Sequence, residues 1–142
     1  MTPEEQLREV SLHVTRPRVA VLTEVKAHPH ADVDTLTAKV RARLGSVSTQ
    51  AVYDVLRALA DAELIRRIEP AGSPARFESR VGDNHHHVVC RSCGDIADVD
   101  CATGAAPCLE TSDTHGYAID EAEVTYWGTC PACQQNTPKS AQ

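Results

Sequence analysis

Asn84-His85-His86-His87-Val88-Val89-Cys90-Arg91-Ser92-Cys93-Gly94-Asp95-Ile96-Ala97-Asp98 is the stretch whose reading decides the fold. Its Cys90-x-x-Cys93 pair has a twin near the C-terminus, Cys130-Pro-Ala-Cys133. Two such pairs supply four thiolates, a donor set that suits a closed tetrahedral zinc site. A redox dithiol or a disulfide is the competing reading of a lone pair. The 36 residues between Cys93 and Cys130 exceed the ~15–20 of an ordinary zinc ribbon. One ion would therefore clip together the two ends of a whole subdomain.

The histidines beside this turn read differently. Val88-Val89 points to a strand running into Cys90, and side chains on a strand alternate between faces. His85 and His87 then share one face and His86 takes the other. Asp98, expected on the paired strand, adds an oxygen donor. Mixed imidazole and carboxylate ligands suit Fe(II), Mn(II) or a similar ion better than thiolates do.

Length and composition set bounds. The 142 residues suit one ordinary domain or two small ones. The acidic start, Met1-Thr2-Pro3-Glu4-Glu5, has no apolar core region, and no run suits a membrane helix. A cytoplasmic protein is expected, and in that compartment clustered cysteines point to metal. The net charge of −6 looks wrong for a nucleic-acid binder, but it is unevenly spread. Residues 1–79 hold 11 basic and 11 acidic side chains, and residues 80–142 hold 3 and 9. The acidity thus belongs to the metal-binding half, and the placement of the arginines matters more than the total.

The N-terminal half reads as helices and then a hairpin. Residues 1–12 suggest a short helix. Thr15 caps a second helix opened by Arg16-Pro17, with Val19, Leu22 and Val25 as its apolar stripe, and His28-Pro29 stops it. Val33, Leu36, Val40 and Leu44 mark a third helix, ended by Gly45. Ser48 caps a fourth, running to about Ala60, with Val52, Val55, Leu56 and Leu59 on its buried face. Its outer face carries Gln50, Tyr53, Asp54 and Arg57, groups that can read base edges or phosphates. The short Gly45-Ser46-Val47 turn between the last two helices suggests a helix-turn-helix. Leu64–Ile68 and Ala75–Ser79 then form a hairpin wing carrying Arg66, Arg67 and Arg76.

The expected fold is α+β. Residues 1–80 form a winged helix-turn-helix, 81–84 a hinge, and 85–142 a smaller α/β metal-binding domain with structural zinc, to which the family resemblance described below assigns dimerisation. In that second domain a helix is expected after Cys101–Cys108. Tyr117–Asp120 and Glu123–Trp127 are expected as strands leading into Cys130. So small a subdomain leans on its metal. Structural zinc supplies roughly 10–16 kcal/mol in zinc peptides, against about 5–15 kcal/mol for a whole domain's stability.

Thr15-Arg16-Pro17-Arg18, Ala51-Val52-Tyr53, Arg76-Phe77-Glu78, the His85–Cys93 run and Tyr126-Trp127-Gly128-Thr129-Cys130-Pro131-Ala132-Cys133 together resemble the Fur superfamily of metalloregulators. The likeness runs from Val14 to Cys133. Val81–His87 and Ile96–Cys101 look closest to the actinobacterial FurA/CatR branch. The resemblance implies a homodimeric, metal-dependent repressor of a palindromic DNA operator. It implies structural Zn(II) on Cys90, Cys93, Cys130 and Cys133. It also implies a regulatory Fe(II) or Mn(II) on His28, Glu78, His85, His87 and Asp98, spanning the hinge. DNA contacts would come from Arg16, Arg18, Ser48, Gln50, Tyr53, Arg57 and Arg76. Aspartate at position 98 is similar to the peroxide sensors of the superfamily, in which bound iron oxidises a ligand histidine. By position His28 and His85 would be the targets, and a catalase-peroxidase gene and the regulator's own gene the controlled loci. An iron or other metal homeostasis repressor is the alternative.

Several residues depart from the family pattern. Glu78 stands where some peroxide sensors have aspartate, Asp54 where several relatives have a base-contacting arginine, and His13 where a minor-groove lysine is common. Of Asn84, His86, Ala105 and Ala122, the positions of an auxiliary metal site, only His86 can ligate. Cys101 and Cys108 are extra thiols, candidates for either an inert or a redox role. An enzyme is not expected. A zinc deaminase needs a His-x-Glu ahead of its Pro-Cys-x-x-Cys, and no His-x-Glu occurs here. A zinc-ribbon interaction module would leave the first 80 residues unexplained.

Overall fold

The computed structural model of the chain describes residues 1–79, 85–100, 114–119 and 124–136. Two compact units are present, Met1–Gly82 and Asp83–Gln142. The expected hinge, 81–84, lies outside the described residues, as do Cys101, Cys108 and the helix expected after them.

The first unit holds α1 (Pro3–Glu9), α2 (Arg16–Ala27), β1 (Ala31–Asp32), α3 (Val33–Leu44), α4 (Thr49–Asp61), β2 (Arg66–Ile68) and β3 (Arg76–Glu78). Side-chain caps fix where its helices start. The Thr15 hydroxyl accepts from the Arg18 N–H, and the Ser48 hydroxyl from the Ala51 N–H. The Asp32 carboxylate accepts from the Thr35 N–H. That bond holds the Asp32 pKa below its ordinary value. The cap therefore stabilises α3 at neutral pH and fades as pH falls through the carboxylate range. Gly45 ends α3 at a positive φ of 85°, which glycine adopts without a Cβ clash.

Burial follows the expected stripes. Val21, Leu22 and Val25 of α2, Leu36 and Val40 of α3, and Val52, Leu56 and Leu59 of α4 form one core with Leu7, Ile65 and Phe77. The opposite face of α4, with Gln50, Tyr53, Asp54 and Arg57, is exposed. A three-stranded antiparallel sheet of order β1-β3-β2 completes the wing. The two-residue β1 has no signature in the sequence, being too short to show a period.

The second unit is built on β4 (His85–Cys90). It pairs antiparallel with β5 (Ile96–Asp100) and parallel with β6 (Thr125–Gly128), and α5 (Pro131–Asn136) follows. Gly94, at φ 81°, closes the β4–β5 turn. The strand expected at Tyr117–Asp120 is not found over its described part. Residues 117–119 are irregular, and the Tyr117 N–H closes a turn on the Thr114 carbonyl at 2.9 Å. Alternating apolar residues were too weak a signal there against the adjoining turn residues His115-Gly116.

Leu56, 1 % exposed, anchors α4 to the core. Leu56→Ala should cost ~2–5 kcal/mol, read as a lower urea midpoint for the first unit.

Candidate metal and nucleic-acid sites

The thiol cluster is assembled by the pairing of β4 with β6. The parallel register sets Cys90 opposite Gly128, and the Arg91 N–H donates to the Gly128 carbonyl at 2.8 Å. The chain after Gly128 then delivers Cys130, and the first turn of α5 delivers Cys133. All four sulfurs lie within 4.8 Å of one another. Cys93 Sγ and Cys130 Sγ are 3.7 Å apart. Tetrahedral zinc with Zn–S of about 2.3 Å has sulfur–sulfur edges of about 3.8 Å, so the spacing fits that ion.

The four sulfurs perturb one another's protonation. The Cys130 and Cys93 N–H groups point at Cys90 Sγ, at 3.3 and 3.5 Å. They pull the Cys90 thiol down to about 6. The neighbouring sulfurs of Cys130 and then Cys93 push Cys133 up to about 12. Cys93 is lowered by the Asp95 N–H but raised on balance, chiefly by Cys90. Four thiols this close cannot all ionise by themselves, and a divalent ion removes that conflict. These features favour a closed structural site over a redox pair. None of the four is disulfide-bonded.

Two histidine–carboxylate pairs also stand out, one in each unit. In the second unit the β4–β5 register sets His87 opposite Asp98. His87 Nε2 lies 3.4 Å from Asp98 Oδ1, with the two side chains 7 % and 24 % exposed. His85 is opposite Asp100 in the same ladder. His86, opposite Val99, is buried.

In the first unit the pair is His30 and Glu78. His30 stands in the turn just before β1, next to Ala31, which pairs with Phe77 of β3. His30 Nε2 lies 3.3 Å from Glu78 Oε2, and the Glu78 side chain is only 1 % exposed. His30 is pinned by its backbone. Its N–H donates to the Phe77 carbonyl at 2.9 Å, and its carbonyl accepts from Arg76 Nη1 at 3.2 Å. It sits at φ 69°, uncommon for a residue with a side chain.

Sequence reasoning passed over His30 in favour of His28. The structure places His28 at the C-terminus of α2, its Nε2 3.3 Å from Glu24 Oε2, and not beside Glu78. The other Glu24 oxygen takes the Arg43 guanidinium. Choosing between two histidines flanking Pro29 required knowledge of β1.

The expected DNA-contact residues have varied surroundings. Tyr53 is 46 % exposed on α4, and Arg57 is exposed beside it. Gln50 Nε2 donates to Asp54 Oδ1 at 2.9 Å. Ser48 caps α4, so its hydroxyl is engaged with the helix. Arg16 is exposed in the first turn of α2. Arg18 Nη1 donates to the His13 carbonyl at 2.9 Å, and Arg76 also donates to Ser73 Oγ at 3.3 Å.

Residues 9–127 match the Ferric uptake regulator family. The chain is 67% identical over 129 residues to the transcriptional regulator FurA of Mycobacterium tuberculosis, covering 91% of this chain and 88% of that one. Its fold is similar to the ferric uptake regulator Fur of Helicobacter pylori, a protein with three functional metal-binding sites. The TM-score is 0.75 at 20% identity, covering 92% and 88% of the two chains. It is similar also to the ferric uptake regulator of Pseudomonas aeruginosa with manganese, at TM-score 0.72 and 25% identity, covering 92% and 99%. The motifs, the two-unit fold and these likenesses agree: the chain belongs to the ferric uptake regulator family.

Proposed function

We propose that this chain is a cytoplasmic, homodimeric transcriptional repressor whose grip on a palindromic operator depends on a regulatory Fe(II) or Mn(II) ion. One observation carries the metal reading. Each unit holds a histidine–carboxylate pair, His30–Glu78 in the first and His87–Asp98 in the second. Imidazole nitrogen with carboxylate oxygen is the donor chemistry of iron and manganese. In this reading both pairs, with His85 as a further donor, serve one ion. His30 takes the role that family resemblance gives to His28.

An ion with ligands from both units favours one relative orientation of them, and so one spacing of two recognition helices. Shifting the dimer from mostly unfit to mostly fit for the operator needs a preference of ~5.5 kcal/mol. In each protomer α4 enters the major groove, with Gln50, Tyr53 and Arg57 toward base edges. Arg16, Arg18 and Arg76 lie toward phosphate. Ser48, Cys90, Cys93, Cys130 and Cys133 serve structure, the four cysteines through Zn(II). Among the described residues no helix is long and apolar enough to cross a membrane.

Asp98 supports the peroxide reading by its resemblance to peroxide sensors. When held by these residues, Fe(II) would supply the electrons that break the O–O bond of hydrogen peroxide, one oxygen going onto a ligand histidine and the other leaving as water. The chain's own part is to hold His30, His85 and His87 within reach and to lose operator affinity once a ligand is oxidised. A catalase-peroxidase gene would then be derepressed when its substrate rises.

Three outcomes test this. His30→Ala should weaken Mn(II) binding by at least about tenfold in calorimetry, the loss of roughly 1.4 kcal/mol of binding energy, and abolish metal-dependent operator binding with zinc content unchanged. Affinity lost in His28→Ala and kept in His30→Ala would reassign the ligand. Removing zinc with a strong chelator should unfold the second unit, read by circular dichroism, while the helical first unit persists. Hydrogen peroxide added anaerobically to the Fe(II) form should add oxygen to a ligand histidine in peptide mass spectra, and the Mn(II) form should stay clean. Unmodified histidines with operator binding intact would make this a metal-level sensor instead.

A further inference from the structure

We infer that Asp54 is a base-reading residue that selects cytosine at one position of each operator half-site. The inference rests on the reading of α4 as the helix that enters the major groove. Asp54 sits on the exposed face of α4 with Gln50, Tyr53 and Arg57, opposite the buried Val52, Leu56 and Leu59. Its Oδ1 accepts from Gln50 Nε2 at 2.9 Å, one helical turn back. That bond steadies the carboxylate on the outer face and leaves Oδ2 as an acceptor.

An anion on a groove-facing surface needs a reason, because both phosphate strands repel it. Among major-groove edges only cytosine offers a donor without an adjacent acceptor. Guanine shows N7 and O6, thymine shows O4, and adenine sets N7 beside its amino group. A carboxylate therefore accepts from cytosine N4 and is repelled by the others, most strongly by guanine and thymine. Gln50, held by the same bond, keeps its carbonyl oxygen and second amide hydrogen, the pair that matches adenine N6 and N7. Specificity here comes as much from rejection as from attraction.

The competing reading is that Gln50 and Asp54 are only a helix-stabilising pair four residues apart. Such a pair would carry no base preference, and that difference is what the test reads.

The test is selection of operators from a random duplex pool by the zinc- and Mn(II)-loaded protein, alongside Asp54→Ala and Asp54→Asn. The wild type should enrich cytosine at one position per half-site. Replacing that cytosine should cost it roughly tenfold in affinity. Both variants should lose the cytosine preference and bind non-operator DNA more tightly as the repelling charge goes, and Asp54→Ala, which also removes the bond holding Gln50, should relax the position that Gln50 reads as well. A selected sequence whose preferences survive both substitutions would overturn the Asp54 assignment and leave the repressor reading standing. A wild type that selects no sequence would sink both.

Discussion

Strand β4 is the constraint on which the second unit depends. Its six residues carry His85 and His87 at one end and Cys90 at the other. A strand's side-chain period is two, so a slip of one residue would reverse every face. His87 would leave Asp98, and Cys90 would leave the other three thiols. The parallel pairing to β6 fixes one edge and the antiparallel pairing to β5 the other. Zinc held by the four thiolates would lock that register, since Cys90 and Cys93 come from β4 and its turn and Cys130 and Cys133 from the chain after β6. The thiol cluster and the histidine–carboxylate pair thus hang on one strand and its register.

A histidine–carboxylate pair recurs in the first unit on a smaller scale. There His30 meets Glu78 from the turn just before β1, while His87 and Asp98 are cross-strand neighbours in an antiparallel ladder, where opposed Cβ atoms are about 4.5–5.5 Å apart. That distance suits an imidazole and a carboxylate meeting over one ion. It leaves each carboxylate a natural partner in the histidine. In the first unit the ladder is only two residues deep on the β1 side. The left-handed backbone at His30 and its two backbone hydrogen bonds do the positioning that a longer strand would otherwise supply.

Much of this was legible in the sequence, for identifiable reasons. The helices of the first unit carry both their caps and their apolar stripes, and Thr15, Ser48 and Gly45 mark their ends within a residue. The Cys-x-x-Cys pairs announced the thiol site, and the alternation across Val88-Val89 put His87 and Asp98 on facing strands. What escaped was non-local. The partnership of β4 with β6, 35 or more residues away along the chain, leaves no periodic trace. The choice of His30 over His28 as the neighbour of Glu78 turned on a two-residue strand. Resemblance pointed to His28, whose side chain lies against Glu24. Tyr117–Ile119 shows the opposite failure, a strand-like composition with no partner edge among the described residues to make it a strand.

The proposed regulatory ion would draw its ligands from both units. The most direct measurement is anomalous diffraction at the manganese edge from crystals of the zinc- and Mn(II)-loaded dimer. One manganese peak per chain is expected, apart from the four-cysteine site, bonded to His30 and Glu78 together with His87 and Asp98. A manganese peak whose protein ligands all come from a single unit, or one centred on His28 and Glu24, would contradict it.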